Sequence, residues 1–323
     1  MFSRAFTLIS SVVIFAIYPA AGQPYNDGTK EVTLGQIKNL VTFGDSFTDI
    51  LSTSDGRTSW PIYAASYANL TLYPYAHAGA TCSNNLTHLS SPSVFESQLP
   101  AYYNDTSTGT IHLSPASTLY TLWIGTNDVG LKSLLIGHDS ASLVDVTKCM
   151  VNWLQDLYTR GARNFLFQNM IPLEKTPLYS KNSWPNRYWH LERNTTEWNV
   201  FMRELTLSGN ELTSLMLQAI VPTLHGAHIG IFDTHSLFAD MSSNPAKYLN
   251  GTAALNVDDA VNKCVYELNG GPTTNCTTIQ GTDRDSYLWY DELHPSEQAE
   301  RIVAQVIAQV AMGEGNKWIT WLS

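Results

Sequence analysis

Four places in the chain set a reactive or polar side chain just beyond an apolar run or a glycine. Ser46 follows Leu40-Val41-Thr42-Phe43-Gly44-Asp45, a β-branched apolar run that breaks at Gly44. A strand that ends this way hands a side chain to the carboxyl edge of a sheet, where open α/β sheets bind ligands. Asp291-Glu292-Leu293-His294-Pro295 sets a carboxylate three residues ahead of an imidazole. A serine hydroxyl is a poor nucleophile until a base takes its proton and a third group orients that base. Within one turn, Asp291 can accept from His294 Nδ1–H and leave Nε2 to take the Ser46 proton. Acyl transfer also needs donors aimed at a developing oxyanion. The backbone N–H of Ser46, the N–H of Gly79 in Ala76-His77-Ala78-Gly79-Ala80-Thr81-Cys82, and the side-chain NH₂ of Asn127 in Gly125-Thr126-Asn127-Asp128 can supply three. Singly, each stretch has a plainer reading: helix caps at Ser46 and at Asp-x-x-His-Pro, a tight turn at Gly79, a turn cap at Asn127. Together, at successive strand ends and in this order, they favour acyl transfer.

Those positions need a sheet to carry them. Leu40–Gly44, Leu70–Tyr75, Thr118–Gly125, Asn164–Asn169 and Ile229–Asp233 read as strands, the third as a continuous apolar run of the kind found in buried parallel sheets. Asp45 and Thr48 can bond backbone amides and help start a helix after the first strand. Pro61 fits the first turn of a helix with Ile62, Tyr63, Ala65, Ser66 and Ala68 as a mixed apolar face. Further helices are expected over Leu143–Tyr158 (inner side Val144, Val151, Leu154, Leu157), Trp198–Leu217, from His235, and Glu297–Ala311 (Ile302, Val303, Val306, Val310). Residues 83–116 read as a surface connection with one short helix packed by Phe95, Tyr102 and Tyr103. The long stretch 174–195 carries Tyr179, Trp184, Tyr188 and Trp189, rings that either stack on sugars or bury against the domain, with burial expected. Residues 241–285 are a loop-rich excursion, and Trp318–Leu322 a short apolar tail packed on the domain. Alternating strands and helices predict an α/β fold with a parallel sheet covered on both faces, in one domain over 23–323.

The chain has 323 residues and a net charge of −10. An acidic balance excludes a nucleic-acid footprint and argues against gripping anionic polymers, so a neutral substrate suits it better. Residues 1–22 have the layout of a cleaved secretory signal: Arg4, an apolar core from Leu8 to Ile17, a break at Tyr18-Pro19, and small residues at Ala20-Ala21-Gly22. That core is too short to anchor the chain across a bilayer. Six Asn-x-Ser/Thr sequons, at Asn69, Asn85, Asn104, Asn194, Asn250 and Asn275, predict a glycosylated extracellular product. Four cysteines allow three pairings. Cys264 and Cys276 flank the turn signal Asn269-Gly270-Gly271-Pro272 and are expected to pair, leaving Cys82 with Cys149. No CxxC spacing points to a metal, so neither metal nor cofactor is expected.

Phe43-Gly44-Asp45-Ser46, the Gly79 turn, Gly125-Thr126-Asn127-Asp128 and Asp291-Glu292-Leu293-His294-Pro295 together resemble the four sequence blocks of the GDSL/SGNH hydrolase superfamily over about residues 38–312. Phe47 stands where the family name has Leu, and Ala78-Gly79-Ala80-Thr81 lacks the Asn usual in the second block. Gly56–Trp60 and Asn169-Met170-Ile171-Pro172-Leu173 are similar to the fungal and plant-type branches. The resemblance implies a flavodoxin-like three-layer α/β/α sandwich and a metal-free serine esterase: Ser46 as nucleophile, His294 as base and then acid, Asp291 as its orienter, and Ser46, Gly79 and Asn127 as oxyanion hole. Among secreted fungal members the chain looks most like acetylesterases of carbohydrate esterase family 16, which implies an enzyme acting on small-molecule or oligosaccharide acetyl esters; a monomer is expected. A lipase or lysophospholipase is the alternative activity, and a catalytically silent carbohydrate-binding protein the alternative class.

Overall fold

The structure, a computed structural model, describes residues 36–51, 58–137, 140–271 and 275–323. The leader-like segment 1–22, the loop Ser52–Asp55, Gly56, Arg57 and Pro272 lie outside the described residues. All described residues belong to one compact unit, Glu31–Ser323.

The chain lays down β1 (Asn39–Gly44), α1 (Trp60–Ala68), β2 (Thr71–Pro74), α2 (Leu99–Ser107), β3 (Thr118–Trp123), the single turn α3 (Thr126–Val129), α4 (Leu143–Thr159), β4 (Asn164–Gln168), α5 (Thr195–Ile220), β5 (His228–Phe232) and α6 (Thr234–Ser243). The strands β2-β1-β3-β4-β5 lie side by side, all parallel. After β2 the chain crosses to the other flank of β1 to place β3. This reversal opens a crevice beyond the carboxyl ends of β1 and β3, the place where doubly wound sheets bind ligands.

The excursion that follows holds β6 (Asn256–Ala260), β7 (Asn262–Cys264), β8 (Cys276–Thr278) and β9 (Tyr287–Trp289). It forms two small sheets, β6 with β9 and β7 with β8. The chain then enters α7 (Glu297–Met312) and ends in β10 (Ile319–Trp321). The apolar tail is therefore a sixth strand of the main sheet, antiparallel to β5.

One face of the sheet packs Leu40, Trp123 and Leu166 against α1, α6 and α7. The other packs Phe43, Leu122 and Phe165 against α2, α4 and the end of α5. The protein is thus a three-layer α/β/α sandwich. All six residues of β3 are buried, as a central strand covered on both faces requires.

Three local expectations differ. Val144 is 50% exposed, because burial on α4 begins only at Val146 and the first turn lies outside the core. On α1 the buried residues are Trp60, Pro61 and Ala64, and Ile62 faces solvent. The connection 83–116 is not all surface: Val94, Gln98, Leu99 and Tyr102 are buried in it.

Candidate active site

Ser46 sits in a turn at the end of β1, not at the start of a helix. Asp45 Oδ1 accepts from Phe47 N at 3.0 Å, and the Asp45 carbonyl accepts from Thr48 N and Asp49 N. Gly44 enters this turn at φ +146°, and a Cβ there would collide with the Trp123 carbonyl. The buried Gln98 amide pairs with both backbone groups of Gly44, at 3.0 and 2.8 Å. Gln98 sits 54 residues away, and nothing in the local sequence marks it for this task.

His294 Nε2 lies 2.7 Å from Ser46 Oγ. His294 Nδ1 lies 2.9 and 3.0 Å from Asp291 Oδ1 and Oδ2. A carboxylate at Nδ1 keeps the proton on that nitrogen and leaves Nε2 to accept from the serine. Asp291 Oδ1 also accepts from the amides of Leu293 and His294, at 2.8 and 2.7 Å, which locks the turn between them. The cap of α7 is Ser296, whose side chain accepts from Ala299 N, so Asp291 is not a helix cap. Phe47 is fully buried, with its ring edge-on to the His294 imidazole at 5.6 Å.

Gly79 lies in the loop after β2 at φ +76°, and a Cβ there would collide with Ser91 Oγ. Three residues from neighbouring strand ends hold this loop. Asp49 Oδ2 accepts from Ala78 N at 2.8 Å, Asn127 Nδ2 donates to the Ala80 carbonyl at 2.9 Å, and Asp128 accepts from Cys82 N at 3.1 Å and Thr87 Oγ1 at 2.7 Å. An amide nitrogen carries two hydrogens, so Asn127 keeps one for another acceptor. The backbone N–H groups of Ser46 and Gly79 have no acceptor among the described residues. Ser46, Gly79, Asn127, Asp291 and His294 all line one cleft of about 380 Å³, together with Ser90, Ser91, Leu131 and Lys132.

Residues 40–307 match the family described as GDSL-like lipase/acylhydrolase. The chain belongs to that family. Membership makes this GDSL hydrolase an esterase. It is 30% identical to an acetylesterase of Hypocrea jecorina, with 95% of each chain covered. It is 26% identical to an acetylesterase of Thermothelomyces thermophilus, over 85% of this chain and 89% of the relative. A solved acetylxylan esterase of Geobacillus stearothermophilus is 12% identical and superposes with a TM-score of 0.47, over 88% of this chain and 97% of its own.

The aromatic stretch of this GDSL hydrolase packs down onto the site. Leu178 N donates to the Glu292 carbonyl at 2.7 Å. Arg187 Nε pairs with the fully buried Glu292 carboxylate at 2.8 Å, and Arg187 Nη2 also donates to the Asn262 carbonyl. Burial pushes the Glu292 carboxyl up, and the Cys264 amide and Arg187 hold it back. Tyr188 Oη donates to Asp291 Oδ2 at 2.7 Å and lies 3.0 Å from His294 Nδ1. Tyr179 is buried, with its hydroxyl on Leu131 N at 3.1 Å, and Trp184 donates to the Cys264 carbonyl at 2.9 Å. Of the four rings of that stretch only Tyr179 is fully buried; Trp184, Tyr188 and Trp189 are half-buried, and Tyr179 and Tyr188 also line the cleft, so the burial reading holds in part. The sequence marked Tyr188 as one aromatic among four, with no signal that it meets a residue 103 positions later.

Both disulfides form as paired in the sequence, Cys82–Cys149 and Cys264–Cys276. The first ties the Gly79 loop to α4. The second joins β7 to β8 in register. All six sequon asparagines are exposed. Among the described residues no three His, Cys, Asp or Glu side chains gather as a metal site, and no helix is long and apolar enough to cross a membrane.

Proposed function

We propose that the protein is a secreted serine esterase that removes acetyl groups from plant cell-wall carbohydrates. The observation that carries the mechanism is the hydrogen-bonded run from Ser46 Oγ through His294 to Asp291, opening on the cleft beside Gly79 and Asn127. Ser46 attacks the ester carbonyl as its proton passes to His294 Nε2, and Asp291 stabilises the imidazolium. The N–H groups of Ser46 and Gly79 and the second N–H of Asn127 receive the oxyanion; losing one such donor costs about 3 kcal/mol in the barrier. His294 then protonates the leaving alcohol, and water activated by the same ring releases the acyl-enzyme. No metal or cofactor enters these steps.

The acetyl preference rests on the fungal relatives and on the cleft, where short polar residues (Ser90, Ser91, Thr126) share the wall with Leu89, Leu131 and Leu293. A net charge of −10 suits a neutral sugar ester. Secretion with loss of residues 1–22, a single catalytic domain over 23–323, a monomeric state and glycans on the exposed sequons complete the proposal. Asn85 Nδ2 donates to Glu96 Oε1 and keeps a second N–H for a glycan, so that bond and the modification are compatible.

Initial rates on p-nitrophenyl esters from acetyl to octanoyl test the substrate class, with Ser46→Ala as control. A steep fall beyond acetyl is expected, followed by acetate release from acetylated xylo- and manno-oligosaccharides. A maximum at long chains would move the enzyme to lipids.

A further inference from the structure

The turn that carries Asp291 and His294 is buttressed from outside its own motif by the stretch 174–195. That stretch is fixed on both sides of the contact: Asn186 Oδ1 accepts from Tyr188 N at 3.0 Å and from Trp189 N at 3.2 Å. One residue before Tyr188, Arg187 is paired to Glu292, the immediate neighbour of Asp291. Pro185 and His190 accept from the backbone of Tyr266 and Asn269 in the disulfide-bearing excursion. The Tyr188 hydroxyl is therefore delivered to Asp291 by a held backbone and not by a swinging side chain.

We propose that Tyr188 is a positioning residue of the acyl-transfer site, its hydroxyl fixing the Asp291 carboxylate and, through it, the His294 ring against Ser46. This rests on the roles given above to Ser46, His294 and Asp291. Leu293 N and His294 N donate to Asp291 Oδ1, and His294 Nδ1–H is shared between Oδ1 and Oδ2, at 2.9 and 3.0 Å. The Tyr188 O–H donates to Oδ2 at 2.7 Å. A carboxylate gripped at both oxygens cannot turn about its terminal torsion, which is otherwise broad, and the plane it offers to Nδ1–H is set. The ring then points Nε2 at Oγ through the whole proton transfer, when the imidazolium most needs its partner in place. Burial and the Asp291 charge beside it push the Tyr188 hydroxyl well above its ordinary pKa. It stays protonated across the working range and remains a donor; it does not compete with His294 as a base.

Tyr188 also lines the cleft, so a substrate-wall role must be separated from a positioning role. Tyr188→Phe keeps the ring and removes only the hydroxyl. Turnover of p-nitrophenyl acetate is measured for wild type, Tyr188→Phe, Asp291→Ala, the double variant and Ser46→Ala. Tyr188→Phe is expected to lower kcat by roughly tenfold, the worth of a hydrogen bond to a charged group, with KM within about twofold. In the Asp291→Ala background the same change is expected to cost nothing further, the mark of two residues acting as one unit. A raised KM at unchanged kcat, or an equal loss in both backgrounds, would overturn the proposal. If Ser46→Ala is inactive and Tyr188→Phe matches wild type, this inference alone fails. If Ser46→Ala retains turnover, the catalytic reading beneath it fails as well.

Discussion

Asp45 lies beside Ser46, and its environment works against its charge. It is 1% exposed, Oδ2 has no partner among the described residues, and Oδ1 accepts from the Phe47 amide. Burial pushes its carboxyl up to about 7, with Asp128 and Asp49 adding to the rise and the Phe47 bond opposing it. A folded-state pKa above the unfolded one means that the native state holds a proton the unfolded chain has released. The stabilisation this gives is complete below the unfolded value and is lost as pH rises through 7. Asp45→Asn is neutral at every pH. Its stability relative to wild type is therefore expected to improve between pH 5 and pH 8 by roughly 2 to 3 kcal/mol, read from denaturant midpoints at each pH. A constant difference across that range would show that Asp45 ionises like an exposed carboxylate. At this scale the chain was legible wherever a residue's task lay within its own turn. Ser46, Asn127 and the Asp291/His294 pair each stand at a recognisable break in an apolar run, and the structure brings them to one cleft. Gln98 and Tyr188 act across 54 and 103 residues, and no local spacing encodes such a meeting.

At the scale of elements, the cleft is built from loops that other elements pin. The Gly79 loop is held by Asp49 after β1, by Asn127 and Asp128 after β3, and by the Cys82–Cys149 bond to α4. The β7–β8 hairpin is closed by Cys264–Cys276 and touches the site through Arg187, which donates to the carbonyl of Asn262. The two crosslinks close loops of 67 and 12 residues. Loop-closure entropy assigns them about 4 and about 3 kcal/mol respectively. Replacing Cys82 and Cys149 with serine is thus expected to lower Tm more than replacing Cys264 and Cys276. Thiol titration of the unfolded, unreduced protein should find no free thiol. The opposite order of Tm values would mean that native packing around the hairpin outweighs chain entropy. Strand and helix positions were readable because β3 is a continuous apolar run and α7 carries apolar residues at helical spacing. β10 has three residues, too few for a period to be seen, and its pairing with β5 depends on a partner strand far up the chain. Val144 and Ile62 share the apolar character of their helices but lie off the buried surface, which only packing decides.

At the scale of the whole molecule, the sheet reversal between β2 and β3 makes one crevice, and the polar groups singled out in the sequence meet there. Strand order follows from connections that a linear reading can only infer from alternation, yet the reversal at β1 is what sets Ser46 and Asn127 on adjacent strand ends. The whole chain carries many competing nucleophiles, among its 16 tyrosines and nine histidines. The chemistry assigned to the crevice predicts that one hydroxyl in all this chain is activated. The most direct measurement is peptide mass spectrometry after exposure to a fluorophosphonate, which phosphonylates an activated serine. A single adduct on the peptide containing Ser46, absent from Ser46→Ala and from His294→Ala and appearing in step with loss of esterase activity, is the predicted result. Loss of activity with the adduct on any other residue, or full labelling of Ser46 in His294→Ala, would contradict the assignment of nucleophile and base.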